Sequence, residues 1–164
     1  MPIVSINNTV ISDRLNEIEI LLQDSKKWAA ADPGLASQLA TFIDVYLLGV
    51  IEESFELLVK QRASKSKDPE VENYIAQDIK HTFRNPCRAN IVRILGKFSD
   101  SYATSFCSKF PVKCAEMDAL DAVLGHKTNL AHKGTFQLGL TLEDVEKYLA
   151  QIVTVFETLE QILS

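Results

Sequence analysis

The residues best suited to chemistry lie together in Leu124-Gly125-His126-Lys127-Thr128-Asn129-Leu130-Ala131-His132-Lys133-Gly134. Two of the chain's three histidines fall here, with two lysines and an asparagine. Histidine titrates near neutrality and can carry a proton in either direction. A cation nearby can hold a phosphate and stabilise the charge that develops on it. Lys127 and His132, five positions apart, therefore suit RNA cleavage without a metal. A 2′-hydroxyl loses its proton and attacks the adjacent phosphate, and the leaving 5′-oxygen receives a proton. One histidine cannot be base and acid at once; a symmetric dimer that brings two such helix ends together supplies the second. The plain alternative is a helix end whose Lys and His complement the negative end of the helix dipole.

Other chemistries find no residues to carry them. There is no Gly-rich phosphate loop, no H-E-x-x-H and no G-x-S-x-G. His126 and His132, six apart, fall on different faces of a helix, which is poor geometry for a shared zinc. Cys87, Cys107 and Cys114 are an odd number without C-x-x-C spacing, and are expected as buried, reduced thiols. No metal and no cofactor are expected. A net charge of −5 argues against a protein that coats nucleic acid without selectivity. Two basic clusters remain: Lys60, Arg62, Lys65 and Lys67, and Lys80, His81, Arg84 and Arg88. Such runs are most often solvated faces, although either could track an RNA backbone. No apolar run approaches the ~20 residues that a membrane span needs. The N-terminus has no basic segment followed by an apolar one, so a cytoplasmic location is expected.

The elements that must position the stretch read as helices throughout. Ile11, Leu15, Ile18 and Leu22 mark a first helix beginning near Asn8 or Thr9, and Asp32-Pro33-Gly34 predicts a turn. A long helix over 35–62 has a wide apolar face, interrupted by Glu52, Glu53 and Glu56, and is predicted to be the most buried. Asp68-Pro69-Glu70 predicts a helix start that runs to Phe83 before Asn85-Pro86. Shorter helices are predicted over 88–98 and 102–110. Pro111 suits the first turn of the next, which ends in the focal stretch at Gly134. Thr141-Leu142-Glu143-Asp144 fits a capping box before a last helix over 142–163. No segment alternates with period two, so no sheet is predicted. The 164 residues suit one domain, 1–164, of all-α class: an irregular bundle with a long central and a long C-terminal helix.

The C-terminal third resembles HEPN domains, and among them the RiboL-PSP-HEPN family. The likeness rests on His126 to Gly134, followed by Thr141-Leu142-Glu143-Asp144-Val145 and a long terminal helix. It extends to an apolar helix with an embedded acidic residue at Glu53-Ser54-Phe55, and to an Asn-Pro-led helix with a Lys-Phe end. The resemblance implies a homodimeric, metal-independent endoribonuclease of toxin–antitoxin or anti-phage systems, with a composite cleft at the dimer interface. It implies an RNA substrate and opens the way to an antitoxin or defence-system partner. By position, His132 matches the motif histidine and Lys127 stands where the family has arginine. Asn129 is the nearest match to the polar residue between them, and Glu53 to the acidic residue of the central helix. Lysine keeps the charge but lacks the planar fork that grips phosphate with two hydrogen bonds. An inactive module that binds RNA or a protein is the alternative.

The departure at Lys127 gives a first prediction. In a working nuclease, Lys127→Arg raises the initial rate of RNA cleavage about tenfold, the factor that ~1.4 kcal/mol of transition-state binding yields. Unchanged rates in Lys127→Arg and Lys127→Ala would remove the residue from the mechanism.

Overall fold

The computed structural model describes residues 5–82, 85–133 and 139–164, the side chains of 80–82 and 127–133 excepted. Among the described residues, seven α-helices and one 3-10 turn make up the regular structure, and no strand occurs. Helix α1 is Thr9–Ala31. The Asn8 side chain caps it by accepting the Ile11 N–H at 3.3 Å. Its stripe of Ile11, Leu15, Ile18 and Leu22 is fully buried. The Asp32 carboxylate accepts the Gly34 N–H at 3.0 Å, and the Pro33–Leu35 turn reverses the chain.

Helix α2, Ala36–Ser64, follows and lies at the centre. It packs against α1, against α3 (Pro69–Thr82), and against α6 (Ala115–Lys133) and α7 (Leu142–Leu163). Its interior list is long: Ile43, Leu47, Leu48, Val50, Ile51, Phe55, Leu58 and Val59 all lose nearly all contact with solvent. At ~1.5–3 kcal/mol for each large apolar side chain, this helix supplies much of the burial that opposes chain entropy. Within the helix over Pro33–Ser64, an 18-residue window with a mean hydropathy of 1.6 also satisfies the composition of a membrane span, a match not anticipated from the interrupted apolar runs. In the fold, 44% of that window is buried inside the protein.

The shorter elements fill one end. Asp68 caps α3, accepting the Glu70 N–H at 2.9 Å, with Pro69 as first helical residue. Helix α4 is Arg88–Phe98, and α5 is Asp100–Lys109, two residues earlier in its start than the sequence pattern suggested because Ser99 caps it. Pro111 does not enter a helix. The chain bends over 110–114 and α6 begins at Ala115, where the Cys114 carbonyl accepts the Asp118 N–H at 2.9 Å and Glu116 and Asp118 favour the positive helix end. Helix α7 opens with the complete capping box of Thr141 and Asp144. Near the other end of α7, Glu160 accepts the Asn7 and Asn8 N–H groups at 2.8 and 2.6 Å, which ties the start of the chain to its last helix.

Two phenylalanines on α2 test this arrangement. Phe55 is 1% exposed and Phe42 is 61% exposed. Phe55→Ala lowers unfolding free energy by about 3–5 kcal/mol in urea titration. Phe42→Ala changes it by no more than ~0.5 kcal/mol. Equal effects would place the core elsewhere.

Candidate functional site

Helix α6 carries the focal stretch, and its described face explains how that stretch is held. Met117, Leu120 and Val123 recur at helical spacing and are buried against the core. His126 comes three residues after Val123, at the edge of that face, with 13% of its side chain exposed. Facing it on α2 is Asp44, whose side chain is only 1% exposed. Asp44 lies within the row Ala40, Ile43, Leu47 and Ile51, so the helix that the core depends on turns one carboxylate inward. His126 Nδ1 and Asp44 Oδ2 are 3.0 Å apart.

Burial is the dominant influence on this carboxylate. Loss of solvent pushes the Asp44 pKa up to about 6, against the opposing pull of the His126 charge and hydrogen bond. Helix α7 closes the cluster. The Tyr148 ring lies 6.2 Å from the His126 ring between centroids, and burial, with the Asp144 and Asp44 charges, raises its phenol. Asp144 itself is held below the usual carboxylate range by hydrogen bonds from the Thr141 hydroxyl and N–H. Asp44 Oδ1 has no hydrogen-bond partner among the described residues. A carboxylate on Nδ1 selects the tautomer that donates to it, fixes the ring, and leaves Nε2 as the nitrogen able to exchange a proton.

The positions singled out from sequence are distributed differently. Lys127, Asn129 and His132 lie on the helical backbone of the last turns of α6; their side chains fall outside the described residues. Glu53 is an exposed residue of α2 and pairs with Arg14 of α1. It is nine residues from Asp44, about half a turn round the axis at ~100° per residue, and so faces α1 where Asp44 faces α6. The structure thus does not bring Glu53 to His126. Asp44 went unnoticed in the sequence, although its register within an apolar row was the available signal. A carboxylate there has to find a partner or stay protonated.

Three residues of the basic clusters make contacts within the fold. Lys60 pairs with Glu56. Arg62 donates to the Tyr102 hydroxyl at 2.9 Å and lies over that ring, 5.6 Å from its centroid. Arg88 Nε donates to the Phe110 carbonyl at 3.0 Å. The side chains of Lys80 and His81, and all of Arg84, lie outside the described residues. Among the described residues no group of three His, Cys, Asp or Glu could hold a metal. The three thiols are free and half-buried rather than buried, and burial raises that of Cys114.

Comparison with known proteins returns no matching family model, no matching curated protein and no matching solved structure. What the fold defines by itself is an all-α protein with a buried carboxylate–imidazole pair between its central helix and α6.

The pair makes stability depend on pH with a definite sign. Asp44 is raised from 3.8 to about 6 in the folded state, so the folded state binds the proton more tightly than the unfolded one. Its contribution is fully present below pH 3.8 and is lost as pH rises through about 6. Asp44→Asn keeps an acceptor for His126 and removes this titration. The stability of the variant relative to wild type therefore rises between about pH 4 and pH 6 in urea titrations. A flat difference would show that the carboxylate is not raised.

Proposed function

We propose that the chain is a HEPN-type, metal-independent endoribonuclease of the toxin or anti-phage defence kind, acting as a cytoplasmic homodimer with a composite site at its interface. The observation that carries this reading is the anchoring of α6: the helix that bears the Lys127–His132 motif is tied to the central helix by the Asp44–His126 pair. Proton transfer to and from a phosphodiester demands groups held in place before the substrate arrives. A carboxylate buried at energetic cost beside that motif supports such a role better than it supports a mere helix end.

In this reading His132 of one protomer takes the proton of a 2′-hydroxyl, whose oxygen attacks the neighbouring phosphorus. The bond from phosphorus to the 5′-oxygen breaks, and the second histidine of the pair protonates that oxygen. Lys127 holds the phosphate as its charge builds, and Asn129 adds a hydrogen bond to it. Glu53 remains the positional match to the family's acidic residue, and Asp44, turned toward α6, adds a second carboxylate that holds that helix. The products carry 2′,3′-cyclic phosphate and 5′-hydroxyl ends. The second reading, a catalytically inactive HEPN module that binds RNA or a partner protein such as an antitoxin, draws on lysine in place of arginine and on the net charge of −5.

One experiment separates them. A mixed RNA substrate is incubated in chelator with purified protein whose mass in solution has been measured by light scattering. The nuclease reading expects a dimer, cleavage that survives chelation, cyclic phosphate ends, and a loss of about 10²–10⁴ in rate for His132→Ala. A monomer, products with 3′-hydroxyl ends, or equal rates in wild type and His132→Ala would overturn it. Folded protein without cleavage would leave the binding module.

A further inference from the structure

Helices α3 and α4 enclose an apolar groove that the proposed nuclease site does not use. Val71, Tyr74, Ile75 and Asp78 recur along one face of α3, and Ile94 and Phe98 lie one turn apart on α4. Together they border a cavity of about 380 Å³. Its floor is core: Ile79 and Ile94 are each 2% exposed. Its α3 wall is not covered. Tyr74 is 68% and Val71 38% exposed.

The charged side chains that line the groove, Asp68, Glu70 and Asp78 against Lys97, sum to a negative charge. Asp78 pairs with Lys97 across it, from α3 to α4, and these two neutralise each other. Asp68 and Glu70 remain at its margin, both exposed. Asp68 also accepts backbone N–H groups of α3, from Glu70 and Val71. The groove thus offers apolar surface and net negative charge together. A nucleic acid, an anionic bilayer and a second copy of this acidic chain all meet like charge there.

We infer that the α3–α4 groove docks a cationic amphipathic helix of a partner protein. The exposed face of α3, bounded by one turn of α4, offers a surface on which a further helix can lay its apolar face, with anchors at i, i+3 or i+4 and i+7. Helix α3 has 14 residues, about 21 Å at ~1.5 Å per residue, enough for three to four turns of a partner. Apolar anchors of that partner cover Val71 and Tyr74. Its lysines or arginines meet Asp68 and Glu70, and these rim pairs set specificity and on-rate more than affinity.

The test uses a fluorescein-labelled 14-residue helical peptide of leucine and lysine, and its counterpart with glutamate for lysine. Binding to the full chain is followed by anisotropy, and the site by amide shifts in NMR. The lysine peptide is expected to bind with shifts confined to α3 and α4, and at least about tenfold more tightly than the glutamate peptide. Its affinity falls as salt rises from about 0.05 to 0.3 M, because exposed charge pairs are screened. Tyr74→Arg and Glu70→Lys, on an exposed face and so expected to fold, each weaken it about tenfold or more. The inference is overturned by equal binding of the two peptides, by binding that either variant leaves intact, or by no binding at millimolar peptide. It is equally overturned if an RNA oligomer or phosphatidylserine vesicles shift the same α3–α4 amides, or if the uncomplexed chain self-associates through Tyr74.

Discussion

Helix α2 imposes the constraint from which the rest of the fold follows. Its apolar side chains occupy too much of its circumference to be covered by one neighbour, so it has to be surrounded. Four helices, α1, α3, α6 and α7, pack on it. Phe55 and Leu47 lose solvent on the faces so covered, while Phe42 stays exposed on the one that is not. An apolar interior of this kind is non-directional and tolerates many arrangements of similar volume. The polar contacts select among them: the Asp32 turn that folds α1 back, the Thr141–Asp144 box that starts α7, and Glu160 holding Asn7 and Asn8.

Asp44 is the exception inside that interior. Burying a carboxylate is costly, and loss of water is what raises its pKa to about 6. The cost is offset in part by the 3.0 Å contact to His126. Replacing both partners with apolar residues of equal size is often neutral or stabilising in proteins. The pair is therefore better understood as a device of position than of stability: it joins α6 to α2 through one polar contact within an apolar interface.

The nuclease reading and the groove reading place different demands on the molecule. The first concerns a helix end whose polar groups must be immobile before substrate binds. The second concerns α3, which packs mainly on α2 and leaves Tyr74 and Val71 uncovered. Negative charge at Asp68 and Glu70 suits a cationic peptide and repels a phosphate backbone.

Much of the architecture was legible in the chain. Ile11, Leu15, Ile18 and Leu22 repeat at a helical period, and the burial of a helix face follows directly from that period. Local hydrogen bonding set the ends: Asn8, Asp68 and Thr141 cap the helices that their positions announce, because a side-chain oxygen reaches an N–H two or three residues on, whatever the tertiary context. Pro111 shows the limit of local signals, since a proline permitted in a first helical turn is equally at home in a bend. Pairings between distant residues were not legible. Nothing in Asp44 or His126 announces that residues 82 positions apart touch, and nothing in Glu53 announces that Arg14 takes it. Those contacts depend on how one helix is rotated and shifted against another. That is decided by the packing of whole apolar faces, a property of the assembled helices that no short stretch of sequence contains.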